Sequence, residues 1–219
     1  MSLDLINEFN KKINATKIDW VVKGLASKNG IFTLGSDSKL IGRIFELIVT
    51  PLIRDIANEN GLKMVIAESQ TTYPDFTLMK NENDTQKIAI DIKTTYRRYY
   101  KNQPNSPRPF GFTLGSFASF LRNDTKNIQY PYSTYGSHYI IGFVYDRNEN
   151  ASEGQFFEGF SLEHIESPYL NVDFFVQEKY KIAGDKPGSG NTENIGSILT
   201  HNIDDFKQGN GPFSELGKE

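Results

Sequence analysis

The chain has 219 residues, of which 37% are hydrophobic, and a net charge of −3, so its composition predicts one folded domain. It contains no cysteine, which excludes a disulfide framework and a thiolate metal site. The N-terminus has no signal-peptide pattern, and no apolar run approaches the roughly 20 residues of a membrane span. We therefore expect a cytoplasmic protein with no membrane partner.

Hydrophobic periodicity and turn residues predict the elements in chain order. The first part is predicted to hold a short helix, a hairpin, a long helix and three strands, at 3–13, 18–34, 37–60, 62–68, 75–80 and 87–95. The second part is predicted to hold a mobile loop, a helix, two strands and a Gly-rich loop, at 96–111, 115–123, 138–146, 172–183 and 184–197. Strands mixed with helices in one domain predict an α/β or α+β fold with a central mixed sheet.

Two acids and one lysine stand out in the strand-like part of the chain. Asp75 follows Pro74 at the start of one predicted strand, and Asp91 and Lys93 lie two residues apart in the next. Residues two apart point to the same face of a strand, so Asp91 and Lys93 are expected side by side. If the two strands pair, Asp75 comes close to Asp91 as well.

This residue set suits the cleavage of a phosphodiester bond. Two carboxylates about 4 Å apart repel by roughly 4 kcal/mol at an effective dielectric of 20, and a divalent cation removes that conflict. Oxygen ligands favour Mg²⁺, which acidifies a bound water, while Lys93 offsets developing negative charge. The residues alone leave open the alternative of a surface aspartate and an exposed Asp-x-Lys on an edge strand.

The basic residues are concentrated around this motif. Residues 87–126 contain eight Lys or Arg and two acids, a net +6 that leaves −9 for the rest of the chain. Phosphate binding needs a local positive patch and not a high overall isoelectric point. A solvated basic face is the competing interpretation.

Two further features allow both a structural and a functional interpretation. Glu46 on the long helix is either an additional acid near the metal or a surface glutamate paired with Arg43. The Gly-rich loop lacks a phosphate-binding motif, but its glycines allow close approach to base edges, and Asn191 and Thr192 have side chains suited to base contacts. A flexible surface loop is the alternative for this segment.

Several stretches together closely resemble type II restriction endonucleases of the PD-(D/E)XK nuclease superfamily. Their order and spacing nearly match those of the family from Leu5 to about Gly211. The most specific of them lie in and around the Gly-rich loop. The stretches are Leu34–Lys39, Ile44–Leu47, Tyr73–Leu78, Lys87–Tyr96, Phe112–Gly115, Thr125–Ile128, Ala183–Asp185, Gly188–Thr192 and Asn194–Ser197.

The resemblance implies a restriction-endonuclease-like α/β (α+β) fold over residues 1–219, with a dimerisation hairpin near 18–34 and a recognition loop near 184–197. It also implies roles for particular residues. The catalytic positions are Asp75, Asp91, Lys93 and Glu46, and the three acids among them are the metal ligands. The base-recognition residues are Gly188, Gly190, Asn191, Thr192 and Gln70. The residues implied to contact phosphates are Asp37, Lys39, Thr94, Thr95 and Ser119.

The expected function is that of a bacterial, Mg²⁺-dependent homodimer that cuts double-stranded DNA within a palindrome. Because the recognition loop is intact, the implied site is GATATC, cut bluntly at its centre. A cognate DNA methyltransferase in the same cell is the expected partner. The alternative is a sequence-specific DNA-binding protein with weak or no cleavage, because the family carries a further C-terminal segment beyond the position that matches Glu219.

Overall fold

The computed structural model describes residues 3–116, 127–188 and 194–216, apart from the side chains of residues 104 and 116. Within these residues the chain forms four α-helices, namely α1 Leu5–Thr16, α2 Ser38–Glu59, α3 Lys179–Ile182 and α4 Ile203–Gln208. The strands are β1 Gly24–Ala26, β2 Gly30–Thr33, β3 Lys63–Ile66, β4 Phe76–Met79, β5 Lys87–Tyr96, β6 Tyr99–Tyr100, β7 Gln103–Pro107, β8 Thr113–Ser116, β9 Tyr135–Arg147, β10 Phe156–Glu158, β11 Tyr169–Glu178, β12 Ala183–Pro187 and β13 Asn194–Ser197.

The central sheet has five strands in the order β11-β9-β5-β4-β3. Strands β5 and β9 run parallel, whereas the other neighbours are antiparallel. The sheet is therefore mixed, which confirms the α+β class expected from the sequence. None of the helices in the described residues is long and apolar enough to cross a membrane.

Helix α2 covers one face of this sheet. Asp37 caps its N-terminus, because the carboxylate accepts hydrogen bonds from the backbone N–H groups of Lys39 and Leu40, both at 3.0 Å. The helix buries a continuous apolar stripe against alternate residues of β5. The buried residues of this core include Ile41, Ile44, Phe45, Val49, Leu52, Ile53, Ile56, Ile88, Ile90, Ile92 and Phe143.

The opposite face of the central sheet is covered differently. A three-stranded sheet in the order β12-β13-β8 and helix α4 pack there over a second apolar core. That core contains Phe110, Phe112, Leu114, Ile140, Val144, Phe175, Ile182 and Phe206. A third, smaller cluster on the same face joins Tyr73, Ala89 and Tyr135.

Two small sheets lie apart from these layers. One has the order β1-β2-β10 and exposes apolar side chains, with Leu25 at 54%, Phe32 at 44% and Phe156 at 48% of their full exposure. The other is the two-stranded hairpin β6–β7.

Several predicted elements differ from the observed ones. The segment 96–111, expected as a mobile loop, contains the β6–β7 hairpin, because Tyr99 pairs with Pro107 and Tyr100 with Gln103. The strand expected over 172–183 ends at Glu178, where α3 begins. The hairpin expected over 18–34 has its first strand only at Gly24–Ala26. Most of the helix expected over 115–123 lies outside the described residues, and its first two residues belong to β8.

Candidate active site

The pairing of β4 with β5 places Asp75 beside Asp91. Phe76 is opposite Ile90 in this antiparallel pair, so continuing the register by one residue brings Asp75 opposite Asp91. Asp91 is in the middle of β5 and is only 3% exposed. The backbone N–H of Ile92 donates a 2.6 Å hydrogen bond to Asp75 Oδ2, which holds that carboxylate against β5.

The two carboxylates disturb each other. Burial, followed by the negative charge of Asp91, raises the pKa of Asp75 to about 8, although Lys93 and the Ile92 N–H oppose the shift. A low-dielectric surrounding disfavours two negative charges, so without a cation the pair tends to keep a proton. Perturbed carboxyl pairs of this kind are typical of sites that bind a cation or perform catalysis.

Lys93 forms an ion pair with one of these carboxylates. Its Nζ lies 2.5 Å from Asp91 Oδ2. Burial would lower the pKa of Lys93, but the charges of Asp91, Asp75 and Glu46 outweigh burial and raise it above its ordinary value. The side chain is therefore a fixed ammonium at neutral pH.

The strand beside Lys93 has a glycine whose missing side chain makes room for an aromatic ring. Gly142 of β9 is the partner of Lys93 in the parallel pair. A Cβ at Gly142 would lie 2.1 Å from the ring of Phe175, so the ring occupies the place of a side chain. The glycine thus lets Phe175 and its apolar core pack directly beside the face of the sheet that carries Asp91 and Lys93.

A buried polar cluster lies under this pair. No pattern in the sequence predicted it. It comprises Tyr73, His138 and Lys179. The Tyr73 hydroxyl and His138 Nδ1 form a 2.6 Å hydrogen bond, and Lys179 Nζ lies 4.7 Å from the centre of the Tyr73 ring. Lys179 is 5% exposed, and burial lowers its pKa to about 8 against the opposing charge of Asp91. Burial and then Lys179 lower the pKa of His138 to about 3, so its ring is neutral at neutral pH.

Glu46 is placed apart from the two aspartates. Its Oε2 lies 2.5 Å from Arg43 Nη1, one helical turn earlier on α2. The carboxylate is within electrostatic range, because its charge contributes to the raised pKa of Asp75. Within the described residues, no group of three or more His, Cys, Asp or Glu side chains is arranged to hold a metal ion.

The donor set of Asp75 and Asp91 fits a hard divalent cation. Both donors are carboxylates, and their mutual repulsion is relieved by positive charge. Apart from its ion pair with Lys93, the buried Asp91 Oδ2 has no hydrogen-bond partner in the part of the chain that the structure describes. An oxygen in this state favours a metal ion or a polar ligand.

Two clefts adjoin this set. The larger has a volume of about 740 Å³ and runs from the end of β5, at Lys93, Thr94 and Thr95, to the β12 end at Lys186 and Gly188. The smaller, about 390 Å³, lies on the α2 side and brings together Lys39, Glu46, Gln70, Thr94 and Thr95. The strand end at Thr94 and Thr95 thus contributes to both clefts.

The remaining predicted site residues separate into two groups. The Asp37 carboxylate caps α2, and Gly188 continues β12 with its N–H donating a 2.7 Å hydrogen bond to the Asn194 carbonyl. The other group, Ser119, Gly190, Asn191 and Thr192, lies outside the described residues.

Comparison with known proteins identifies the family. A family model described as restriction endonuclease EcoRV matches residues 16–219, so the chain belongs to this family of restriction endonucleases. The type II restriction enzyme EcoRV of Escherichia coli is 46% identical over 194 residues, which are 88% of this chain and 76% of that protein. A solved structure of the NlaIV restriction endonuclease is 13% identical with a TM-score of 0.49, over 99% of this chain and 84% of the other.

Family membership confirms the resemblance to type II restriction endonucleases and the expectation that the protein is an enzyme of this class. The roles of the individual residues remain predictions, which the geometry above supports to different degrees. Asp75, Asp91 and Lys93 lie together, Glu46 lies one layer away, and the proposed phosphate contacts Lys39, Thr94 and Thr95 share a cleft with it.

Proposed function

We propose that this enzyme hydrolyses phosphodiester bonds of double-stranded DNA in a Mg²⁺-dependent reaction, within the palindrome GATATC and with blunt ends. The observation that carries the chemistry is the pairing of Asp75 with Asp91, with Lys93 Nζ at 2.5 Å from Asp91 Oδ2. The proposal for the sequence cut relies on the stretch Gly188–Thr192 and on the 46% identity to the E. coli enzyme EcoRV.

In this proposal Asp75 and Asp91 hold the metal, and Glu46 on α2 is an auxiliary acid whose negative charge acts on the pair. When bound, Mg²⁺ acidifies a water and stabilises charge on the departing oxygen. The Ile92 N–H keeps the Asp75 carboxylate turned to β5, at 2.6 Å. The Lys93 ammonium offsets the negative charge that develops on the phosphate in the transition state.

Substrate binding is assigned to the two clefts. Lys39, Thr94 and Thr95, with Asp37 and Ser119, are proposed to contact the phosphates. Gly188, Gly190, Asn191 and Thr192 are proposed to contact base edges in the major groove, where asparagine bonds adenine bidentately, and Gln70 contacts the minor groove. Phosphate contacts fix the register of the protein on the duplex, and base contacts determine the sequence.

A palindromic site requires two copies of the chain related by a two-fold axis. The exposed apolar residues of the β1-β2-β10 sheet, Leu25, Phe32 and Phe156, support its assignment as the dimerisation surface. A cell that contains this activity also needs protection of its own GATATC sites, for which we propose a cognate methyltransferase. A location in the cytoplasm follows from this proposal and remains a prediction.

The test is a plasmid digest with and without Mg²⁺, followed by sequencing of the ends. We expect linear product only with Mg²⁺, and blunt ends at the centre of GATATC. Ends at another sequence would overturn the proposed specificity. Specific binding to GATATC with no linear product in Mg²⁺ would instead support the alternative of a DNA-binding protein without cleavage.

A further inference from the structure

The β6–β7 hairpin and its flanks form a short basic segment that contains no acid. Residues 97–109 contain four Lys or Arg and no Asp or Glu. The two ends of the segment meet at the rim of the larger cleft, where the Arg108 N–H donates a 2.7 Å hydrogen bond to the Arg98 carbonyl. Arg98 and Pro109 line that cleft together with Lys93 and Gly188. The hairpin therefore projects from the edge of the candidate active site.

The four cations of this segment are used in two ways. Arg97 points inward and is neutralised by Asp146 at 3.4 Å and by Asp173, and it also donates to the Asn171 carbonyl at 2.8 Å. Arg98, Lys101 and Arg108 are exposed, and none of them forms an ion pair with a carboxylate in the described ranges 3–116, 127–188 and 194–216.

Aromatic rings hold two of these exposed guanidinium groups in place. Arg98 lies 5.8 Å from the Tyr96 ring centre, and Arg108 lies 5.5 Å from the Tyr100 ring centre. A cation–π contact fixes the position of a guanidinium group while leaving its charge available, whereas an ion pair cancels the charge. Arginine held in this way keeps its N–H groups for an anion such as a phosphate.

The reach of the hairpin fits an anion with charges repeated along its length, such as a DNA strand. From Arg98 to Lys101 a strand spans about 10 Å, at roughly 3.3 Å per residue. Base steps along one DNA strand are about 3.4 Å apart, so this length corresponds to about three base pairs. A duplex in the larger cleft, whose rim carries Arg98, would thus present several successive phosphates within reach of the hairpin.

We propose that the β6–β7 hairpin is a sequence-independent clamp on the phosphates that flank the recognition site, with Arg98, Lys101 and Arg108 as its contacts. This inference rests on the proposed function, because it needs DNA in the cleft. The clamp adds affinity without adding sequence information, since phosphates are the same at every base pair. Its contribution therefore depends on the length of the flanking DNA and on salt.

The experiment compares three proteins in equilibrium binding to fluorescent duplexes without metal. They are the wild type, the triple variant Arg98→Ala/Lys101→Ala/Arg108→Ala, and a control that removes three exposed cations elsewhere, Lys11→Ala/Arg54→Ala/Lys80→Ala. None of the control residues is among the described residues that line either cleft. One duplex has GATATC with about two flanking base pairs on each side, and another has about ten.

We expect the triple variant to bind the long duplex at least about tenfold more weakly than the wild type at moderate salt, and to lose clearly less affinity for the short duplex. The slope of log K against log salt should fall by about 0.9 for each lost phosphate contact, hence by about 2 to 3 per subunit. The control should match the wild type on both duplexes. Thermal unfolding of all three proteins checks that each is folded.

Two outcomes separate this inference from the proposed function. If the wild type cleaves GATATC and the triple variant keeps both the wild-type salt slope and the wild-type preference for long flanks, the clamp is overturned and the function stands. If the wild type neither binds nor cleaves the site, the proposed function fails first. An equal loss of affinity in the control would also overturn the clamp, because general charge would then explain the binding.

Discussion

The two faces of strand β5 serve opposite purposes. Ile88, Ile90 and Ile92 pack under α2 in an apolar core, whereas Asp91 and Lys93, which alternate with them, are held on the other face as charges. Burying charge costs free energy, while burying isoleucine stabilises the fold. The apolar face thus fixes the backbone firmly enough for the polar face to hold an arrangement that is unfavourable on its own.

The largest loss of cleavage activity should come from a substitution on the charged face of β5. Asp91→Ala removes a proposed metal ligand and the partner of Lys93, so we expect cleavage to fall at least about a hundredfold, because a bound metal supplies several kcal/mol of charge stabilisation. Thermal unfolding should show a folded protein. Single-turnover cleavage of plasmid DNA measures the loss. A wild-type cleavage rate would remove Asp91 from the catalytic set.

A substitution on the apolar face of β5 should lower stability and leave cleavage nearly unchanged. Ile90 is fully buried, and Ile90→Ala should lower the free energy of unfolding by about 2–5 kcal/mol through lost contacts and a cavity. Its side chain points away from Asp91, so cleavage per folded molecule should stay close to that of the wild type. Urea denaturation and active-site titration separate the two quantities. A catalytic loss with unchanged stability would show that the faces are not independent.

Discrimination between DNA sequences should depend on residues outside both faces of β5. Asn191→Ala should weaken discrimination by about 1–3 kcal/mol, the contribution of one bidentate contact between asparagine and adenine. The measurement is the ratio of cleavage rates at GATATC and at sites that differ by one base pair. Asn194→Ala is the matched control, because Asn194 is bound to Gly188 through its backbone carbonyl, which the substitution keeps. An unchanged ratio for Asn191→Ala would contradict its base-reading role.

The last effect is on stability without metal and not on cleavage. The pKa of Asp75 is raised from 3.8 to about 8 in the fold, so the unfolded chain ionises first as pH increases. The contribution of this group to stability is therefore fully present below about pH 4 and is progressively lost up to about pH 8. Asp75→Asn should remove this loss and raise the melting temperature at pH 8, by about 2–4 °C for each kcal/mol recovered.

Magnesium provides the complementary measurement for Asp75. Because protons compete with the cation for the carboxylates, the increase in melting temperature caused by Mg²⁺ in the wild-type protein should grow between about pH 6 and pH 8. Asp75→Asn should show little increase at either pH. An increase that is equal in both proteins would place the metal elsewhere.

Local patterns predicted the parts of the fold that depend on neighbouring residues in the chain. Helix α2 was expected from its apolar periodicity, and the pairing of Asp75 with Asp91 was expected from two adjacent strands. The β6–β7 hairpin was missed because its prolines indicated a loop, although edge hairpins tolerate proline. Helix α3 was missed because four residues are too few for a periodic signal.

The charged surroundings of the site could not be read from the sequence. Lys179 is far from Asp91 along the chain, and only the packing of α3 under the sheet brings its ammonium near Tyr73 and within range of Asp91. The pairing of Glu46 with Arg43 was one of the two interpretations that helical spacing allowed. Choosing between such interpretations requires tertiary structure, because the competing partners are remote in sequence.

Gly142 has a consequence for anyone who diversifies this enzyme. It has no side chain to offer a substrate, yet a single added methyl would lie 2.1 Å from the ring of Phe175. Either the ring or the strand would have to shift, and Gly142 is the register partner of Lys93. In a mutant library, codon 142 would score as essential for reasons of space alone, and it should be held constant when new cutting specificities are selected.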